Sequence, residues 1–317
     1  MAIEIPKKVY AGNVREITIG DGDHTIKVGG ETTMPFHLFE GEMPNPPKFA
    51  LEVNDVEPKE WADTLKEVYG DVWSDPAAWA KRCVELGADL IHFEMVGTDP
   101  NGMDRPAAEA ADVAKKVIDA VSCPVVIWGT ANHEKDVEVL RLIAEQNQDR
   151  KLILGPVEEG DYKQLGAASI GFGHTIVASS PIDVNLAKQL NILLGNLGVK
   201  DDKILIDPTV GGIGYGLEYS YSVIERCKLA ALAQEDERLQ FPLYCNLGRE
   251  VWKTKEAKVS QDQMPELGDP KERGIALEVL TATSLLLAGG DIFVMRHPKS
   301  MEHMRKLVAD LTEGGTA

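Results

Sequence analysis

The chain has 317 residues, an apolar fraction of 44% and a formal net charge of −18. That apolar share is enough to bury a large core, which excludes disorder as the default state, and the acidity opposes a nucleic-acid partner by working against counterion release. No long apolar run occurs and the opening MAIEIPKKVYAGNVREITIG lacks the apolar block of a secretory leader, so neither a membrane span nor export is expected and the chain reads as cytoplasmic.

In chain order, residues 1–47 form an N-terminal extension with a predicted hairpin, Ile17–Ile19 and Thr25–Val28 around Asp21-Gly22-Asp23, followed by the aromatic stretch Met34–Phe39. Residues 48–317 then alternate short β-rich runs with helical patterns. The strand candidates are Lys48–Asn54, Leu90–Met95, Pro124–Trp128, Leu152–Gly155, His174–Ser179, Ile204–Asp207, Leu243–Asn246 and Ile292–Arg296. Gly87, Gly198 and Gly289-Gly290 stand just before three of them, where a helix is expected to end in the left-handed conformation. Between strands, Ala110, Val113, Ala114, Val117 and Val121 repeat at three and four residues after Pro106, a candidate first helical residue. Ala187, Leu190, Leu194 and Leu197 do the same behind a candidate cap, Asp183. Ile275–Ala288 is apolar on most sides and predicts a deeply buried helix. Eight such units close most naturally into a (β/α)8 TIM barrel carrying the N-terminal hairpin; a doubly wound open sheet is the alternative. Two long excursions, Asp55–Asp75 and Leu247–Arg273 with Arg249, Lys253, Lys255 and Lys258, follow strands and are candidate contact surfaces.

Parity along the strands places Ile91, Phe93 and Met95 on one face and Leu90, His92 and Glu94 on the other. If the apolar set packs on helices, His92 and Glu94 point into the barrel, as do Glu52 and Asn54, with Arg296 near the end of the last strand. These polar groups either line a functional mouth or form a satisfied buried network of Glu52, Glu94 and Arg296. The segment Asp207–Gly216, with Gly211, Gly212, Gly214 and Tyr215, fails the dinucleotide fingerprint because Leu217 stands where a third small residue belongs. It reads equally as backbone that approaches a flat ligand closely or as a tight turn that needs positive φ. Asp183 is explained by capping; Asn185 in the first helical turn is less readily explained.

Cys83, Cys123, Cys227 and Cys245 form no C-x-x-C pair, and the seven histidines lack ligand spacing, so no metal site of the chain's own is expected. No nucleophile–base pair emerges either, and no catalytic residue is assigned. A barrel with a polar mouth but no catalytic constellation suits an interaction or cofactor-presenting subunit.

The runs Pro35–Glu42, Ser180–Asn191, Asp207–Ser220, Arg273-Gly274-Ile275 and Met295–Pro298, in matching order across essentially the whole chain, resemble the small subunit of the corrinoid iron–sulfur protein, the delta-type subunit of the acetyl-CoA decarbonylase/synthase complex. The resemblance implies a TIM barrel paired as a heterodimer with a larger subunit. A cobalamin would be shared at the interface of the two chains, and a [4Fe–4S] cluster would be held by the partner. Such a pair carries a methyl group from methyltetrahydrofolate, through a separate methyltransferase, to acetyl-CoA synthase. On this basis Asp183, Asn185, Gly211, Gly212, Gly214, Tyr215, Asn246 and Arg296 are the candidate cofactor-facing residues. The Asp183-x-Asn185 pair also resembles pterin-binding barrels, so a free-standing pterin-dependent methyltransferase is the competing expectation.

Overall fold

The structure, a computed structural model, describes residues 6–22 and 24–313, so Asp23 of the expected turn lies outside the described residues. Strands β1 (Ile17–Asp21) and β2 (His24–Val28) pair as an antiparallel hairpin. The other strands are β3 (Lys48–Asn54), β4 (Leu90–Glu94), β5 (Val125–Trp128), β6 (Ile153–Val157), β7 (Thr175–Ser179), β8 (Ile204–Asp207), β9 (Tyr244–Asn246) and β10 (Ile292–Met295). They form a parallel sheet in the order β8-β7-β6-β5-β4-β3-β10-β9. A parallel bridge between Ile206 and Leu243 joins its two ends, so the sheet closes into a barrel. The helices, in chain order, are α1 (Asp63–Tyr69), α2 (Pro76–Glu85), α3 (Ala107–Ala120), α4 (His133–Gln146), α5 (Tyr162–Phe172), α6 (Val184–Leu197), α7 (Leu217–Ala233), α8 (Gly248–Trp252), α9 (Lys255–Lys258), α10 (Pro270–Ala288) and α11 (Pro298–Glu313).

Strand parity sorts the core into two layers. Phe49, Leu51 and Val53 of β3, with Ile91 and Phe93 of β4, pack outward among the helices, while Ala50, Leu90, Val126, Ile153, Val177 and Leu205 fill the barrel interior. Ile17, Ile19 and Val28 of the hairpin join this inner cluster and are fully buried. Each such side chain contributes about 1.5–3 kcal/mol of burial, so the hairpin acts as a stopper in the N-terminal end of the barrel. Asp21 fixes it there by accepting from Arg150 Nε (3.2 Å) and the Lys151 amide (2.9 Å). Higher up, the same inward positions turn polar, with Glu52, His92, Glu94 and Asn246, which marks the C-terminal end of the strands as the site end.

Two details differ from the sequence reading. Pro106 caps α3 from outside rather than forming its first turn. The segment Ile275–Ala288 lies in α10 but is not buried all round: Ile275, Ala282, Leu285 and Leu286 face inward, whereas Leu280 is 56% exposed and Leu287 45%. The helix belongs to the outer ring, so one side meets the barrel and the opposite stripe, apolar though it is, is uncovered among the described residues.

Candidate functional site

The ends of β3, β4, β9 and β10 bring Glu52, His92, Glu94, Asn246 and Arg296 together. Glu52 takes a bidentate pair from Arg296, Nε to Oε2 and Nη2 to Oε1, both at 2.7 Å, and the guanidinium lies 4.3 Å over the Trp61 ring. Burial alone would raise the Glu52 carboxyl, but the Arg296 charge and its hydrogen bonds hold it below the ordinary carboxylate range. Glu94 accepts from Arg249 Nη1 at 2.9 Å. Burial and then the Glu52 charge push Glu94 up to about 8, and Arg249 only partly offsets them. The two carboxyls at the mouth are thus pushed apart, Glu52 held low by Arg296 and Glu94 raised by burial and by Glu52.

Beneath them, His92 Nδ1 and the Tyr244 hydroxyl are 2.6 Å apart, and Asn246 Nδ2 is 3.5 Å from His92 Nε2. With Asn246 donating, the ring proton sits on Nδ1 and Tyr244 accepts it. Burial lowers His92 to about 4, so it is a neutral hydrogen-bonding group. Trp128 stacks on Tyr244 at 5.6 Å and shuts the floor. Its ring occupies the space a Cβ on Gly155 would need, which explains the glycine in β6. Across the barrel, burial raises Asp207 to about 6, with Ser179 Oγ (2.9 Å) and the Thr209 amide (2.9 Å) donating to it.

Above this floor lies a cavity of about 410 Å3, lined in part by Asn54, Trp61, Glu94, Arg249, Lys258 and Arg296. Trp61 comes from the excursion after β3; Arg249 and Lys258 come from the one after β9. Three buried polar atoms at these strand ends have no partner: Asn54 Oδ1, Asn246 Oδ1 and Ser180 Oγ. An unmet buried acceptor is costly, so such atoms at a strand-end opening mark a place built for a ligand. Two hydroxyl–acid contacts stand at the mouth, Ser179 to Asp207 (2.9 Å) and Thr130 to Asp136 (3.2 Å), and among the described hydrogen bonds neither has an imidazole joined to it. The arrangement is made to hold and orient rather than to attack.

A family model described as CO dehydrogenase/acetyl-CoA synthase delta subunit matches residues 16–311. The chain belongs to this family. Among curated relatives named acetyl-CoA decarbonylase/synthase complex subunit delta, that of Archaeoglobus fulgidus is 33% identical over 98% of this chain and 72% of its own length. The Methanothermobacter thermautotrophicus protein is 34% identical over 95% and 77%. Solved structures share the fold: dihydropteroate synthases of Xanthomonas albilineans (TM-score 0.57, 15% identity, 86% of this chain and 95% of that one) and Thermus thermophilus (0.54, 14%, 94% and 100%) are alike in the barrel alone.

Within this delta-subunit barrel the residues singled out from sequence fall into three places. Asn246 and Arg296 meet at the mouth with Glu52, His92 and Glu94. Asp183 caps α6, accepting from the Asn185 (2.7 Å) and Leu186 (3.2 Å) amides, and Asn185 is exposed. The glycine segment folds back on itself: the Tyr215 amide donates to Gly212 O at 2.9 Å, and Ser220 Oγ accepts from the Gly211 amide at 2.8 Å. Gly214 has φ +76°, and a Cβ on Gly211 would come within 2.7 Å of Tyr215 O, so the turn itself requires both glycines. Gly214 and Tyr215 border a separate cavity with Val251 and Leu277. Sequence reasoning missed Trp61, Trp128 and Tyr244; the last two occupy inward-parity positions of β5 and β9, a signal that was present.

Proposed function

We propose that this delta subunit is the barrel half of a heterodimeric corrinoid iron–sulfur methyl carrier in the cytoplasm. It covers the corrinoid while a methyl group passes from methyltetrahydrofolate, through a methyltransferase, to acetyl-CoA synthase. The observation that carries the reading is a mouth of unmet acceptors, Asn54 Oδ1 and Asn246 Oδ1, beside a half-exposed Arg249, with no nucleophile–base pair. A corrin is fringed by carboxamide arms, each with N–H donors and a carbonyl, so the donor and acceptor set at the mouth fits it. When bound, the corrinoid supplies the methyl-accepting cobalt. This chain's share is to hold the ring's edge, exclude water and open for two visitors in turn.

The thiols support assigning the [4Fe–4S] cluster to the partner. Burial pushes Cys227 up to about 12 and Cys123 to about 11, Cys83 and Cys245 are raised as well, and the four sit in different elements. For the large subunit, the uncovered apolar groups Ile213, Tyr215 and Tyr219 near the start of α7, with Leu280 and Leu287 on α10, offer a contact face. Asp183, Asn185, Gly211, Gly212 and Gly214 remain proposed contributors at the rim.

Co-expression with the large subunit, followed by a visible absorption spectrum, tests the reading. The expected result is a cobalamin spectrum in the purified pair and none in the isolated chain. Micromolar binding of methyltetrahydrofolate by the chain alone would overturn it in favour of a pterin-dependent methyltransferase.

A further inference from the structure

The mouth cavity has a chemical character that covering a corrinoid does not require. In a chain of net charge −18, it is lined by Lys59, Arg249, Lys253, Lys258 and Arg296. Lys253 is taken up by Glu250. Arg296 uses Nε and Nη2 on Glu52, and Nη1 has no partner among the described residues. Arg249 commits only Nη1, to Glu94, and its side chain is 54% exposed. Lys59 and Lys258 are exposed and meet no carboxylate among the described salt bridges. Of the acids on the lining, Glu60 is exposed at the rim, and Asp99 accepts from the Asn101 amide at 2.8 Å. Glu94 is hydrogen-bonded to Arg249 Nη1, and burial with the Glu52 charge raises its pKa to about 8, which disfavours its charged form beside an entering anion. Asn54 is 4% exposed, and its Oδ1 lacks a donor.

We infer that the barrel mouth is an oxyanion pocket. It takes a small carboxylate or sulfate-type anion on Arg249, Arg296 and Lys258, and it offers the Asn54 carbonyl to an N–H donor on the same ligand. Guanidinium N–H groups left over after one carboxylate pairing keep the planar fork that suits an oxyanion. The unmet Asn54 acceptor on the cavity wall favours a ligand with a donor at its far end, because such a ligand removes the cost of leaving that oxygen dry. The cavity, about 410 Å3, suits a small molecule. The inference uses the same mouth as the corrinoid reading, but its test is made on the chain alone, so the two readings can fail separately.

Calorimetric titration of the full chain with sodium sulfate near pH 6.5, against chloride at equal ionic strength, tests it. Saturable one-to-one binding is expected. Arg249→Gln should weaken it by about tenfold, and Lys255→Gln, outside the cavity, should leave it unchanged. Glu94 is faced by Glu52 from β3, by Arg249 from α8 and by Arg296 after β10, with His92 on its own strand. Its ionisation above about pH 8 adds a negative charge beside Arg249, so sulfate affinity should fall several-fold in alkali and stay level in Glu94→Gln. Sulfate keeps its own charge over this range, which isolates the protein group. Acetate and succinamate, a carboxylate carrying an amide N–H, distinguish the two ends of the site. Succinamate should bind more tightly than acetate, and Asn54→Leu should abolish the difference. Absence of saturable binding by all three anions overturns the inference, as does Arg249→Gln binding like the parent; equal binding of acetate and succinamate removes Asn54 from the site.

Discussion

Two ends of one barrel treat buried charge in opposite ways. At the stoppered end, Lys228 donates to both oxygens of Asp291, at 3.1 and 2.8 Å, and reaches Glu31 at 3.5 Å, while the Leu243 amide adds a bond to Asp291 at 2.6 Å. Burial alone would drive the proton off Lys228, but Asp291 and then Glu31 more than offset it and raise its pKa, while burial and the Glu31 charge raise Asp291 as well. All three side chains are buried, and none leaves an orphaned atom. At the mouth Glu52 is fully met by Arg296, yet Arg296 Nη1 and the spare donors of Arg249 have no partner among the described residues, and Asn54, Asn246 and Ser180 keep unmet atoms. The difference teaches where to look: a buried ionic group whose bonding is complete serves the fold, and one with capacity left over faces something else.

Substitutions at the two ends sharpen that contrast. The largest effect is expected from Lys228→Met, which strands Glu31 and Asp291 in the core and should cost about 3–5 kcal/mol in urea unfolding. A loss under about 1 kcal/mol would break the picture of a sealed lower end. Arg296→Met strands Glu52 in the same way and removes the stack on Trp61, so about 3 kcal/mol is expected, together with weaker corrinoid retention in the reconstituted pair.

Next comes pH. Glu94 has an ordinary value of 4.5 and a folded value of about 8, so its contribution is fully present below about pH 4.5 and is lost as pH rises through 8. His92 works the other way: its folded value is depressed to about 4, so its contribution is present above about 6.5 and is lost as pH falls through 4. Thermal melts of Glu94→Gln across pH 5–9 should therefore lack the alkaline decline of the parent, and an unchanged decline would place its origin elsewhere.

Asn54→Leu should leave stability unchanged or raise it by about 1 kcal/mol, since it deletes an unmet acceptor, while weakening corrinoid retention by the pair. Loss of both stability and retention would make Asn54 an ordinary core residue. Smallest of all, Arg249→Gln removes a half-exposed pairing and should change stability by less than about 1 kcal/mol.

Much of the barrel was legible in the sequence because β-branched runs such as Pro124–Trp128 and Ile204–Asp207 stand between helices that end in glycine. The inward parity of Glu52, His92, Glu94 and Arg296 was legible too, since a strand's period of two needs no tertiary knowledge. What parity does not fix is who pairs with whom: Glu94 turned to Arg249 of the short helix α8, 155 residues along the chain, and Arg296 chose Glu52. The glycine segment stayed open in the sequence because glycine answers two needs alike, close approach and positive φ, and at Gly211 and Gly214 the turn's own backbone requires it. The outward leucines of α10 were read as core because sequence records apolarity, not the direction it faces.

The hairpin stopper has a consequence for traffic. With Ile17, Ile19 and Val28 wedged into one end, the barrel is a cup rather than a tube, entered and left by the same opening. On the proposed reading, both methyl partners would have to be served through that single opening, one after the other.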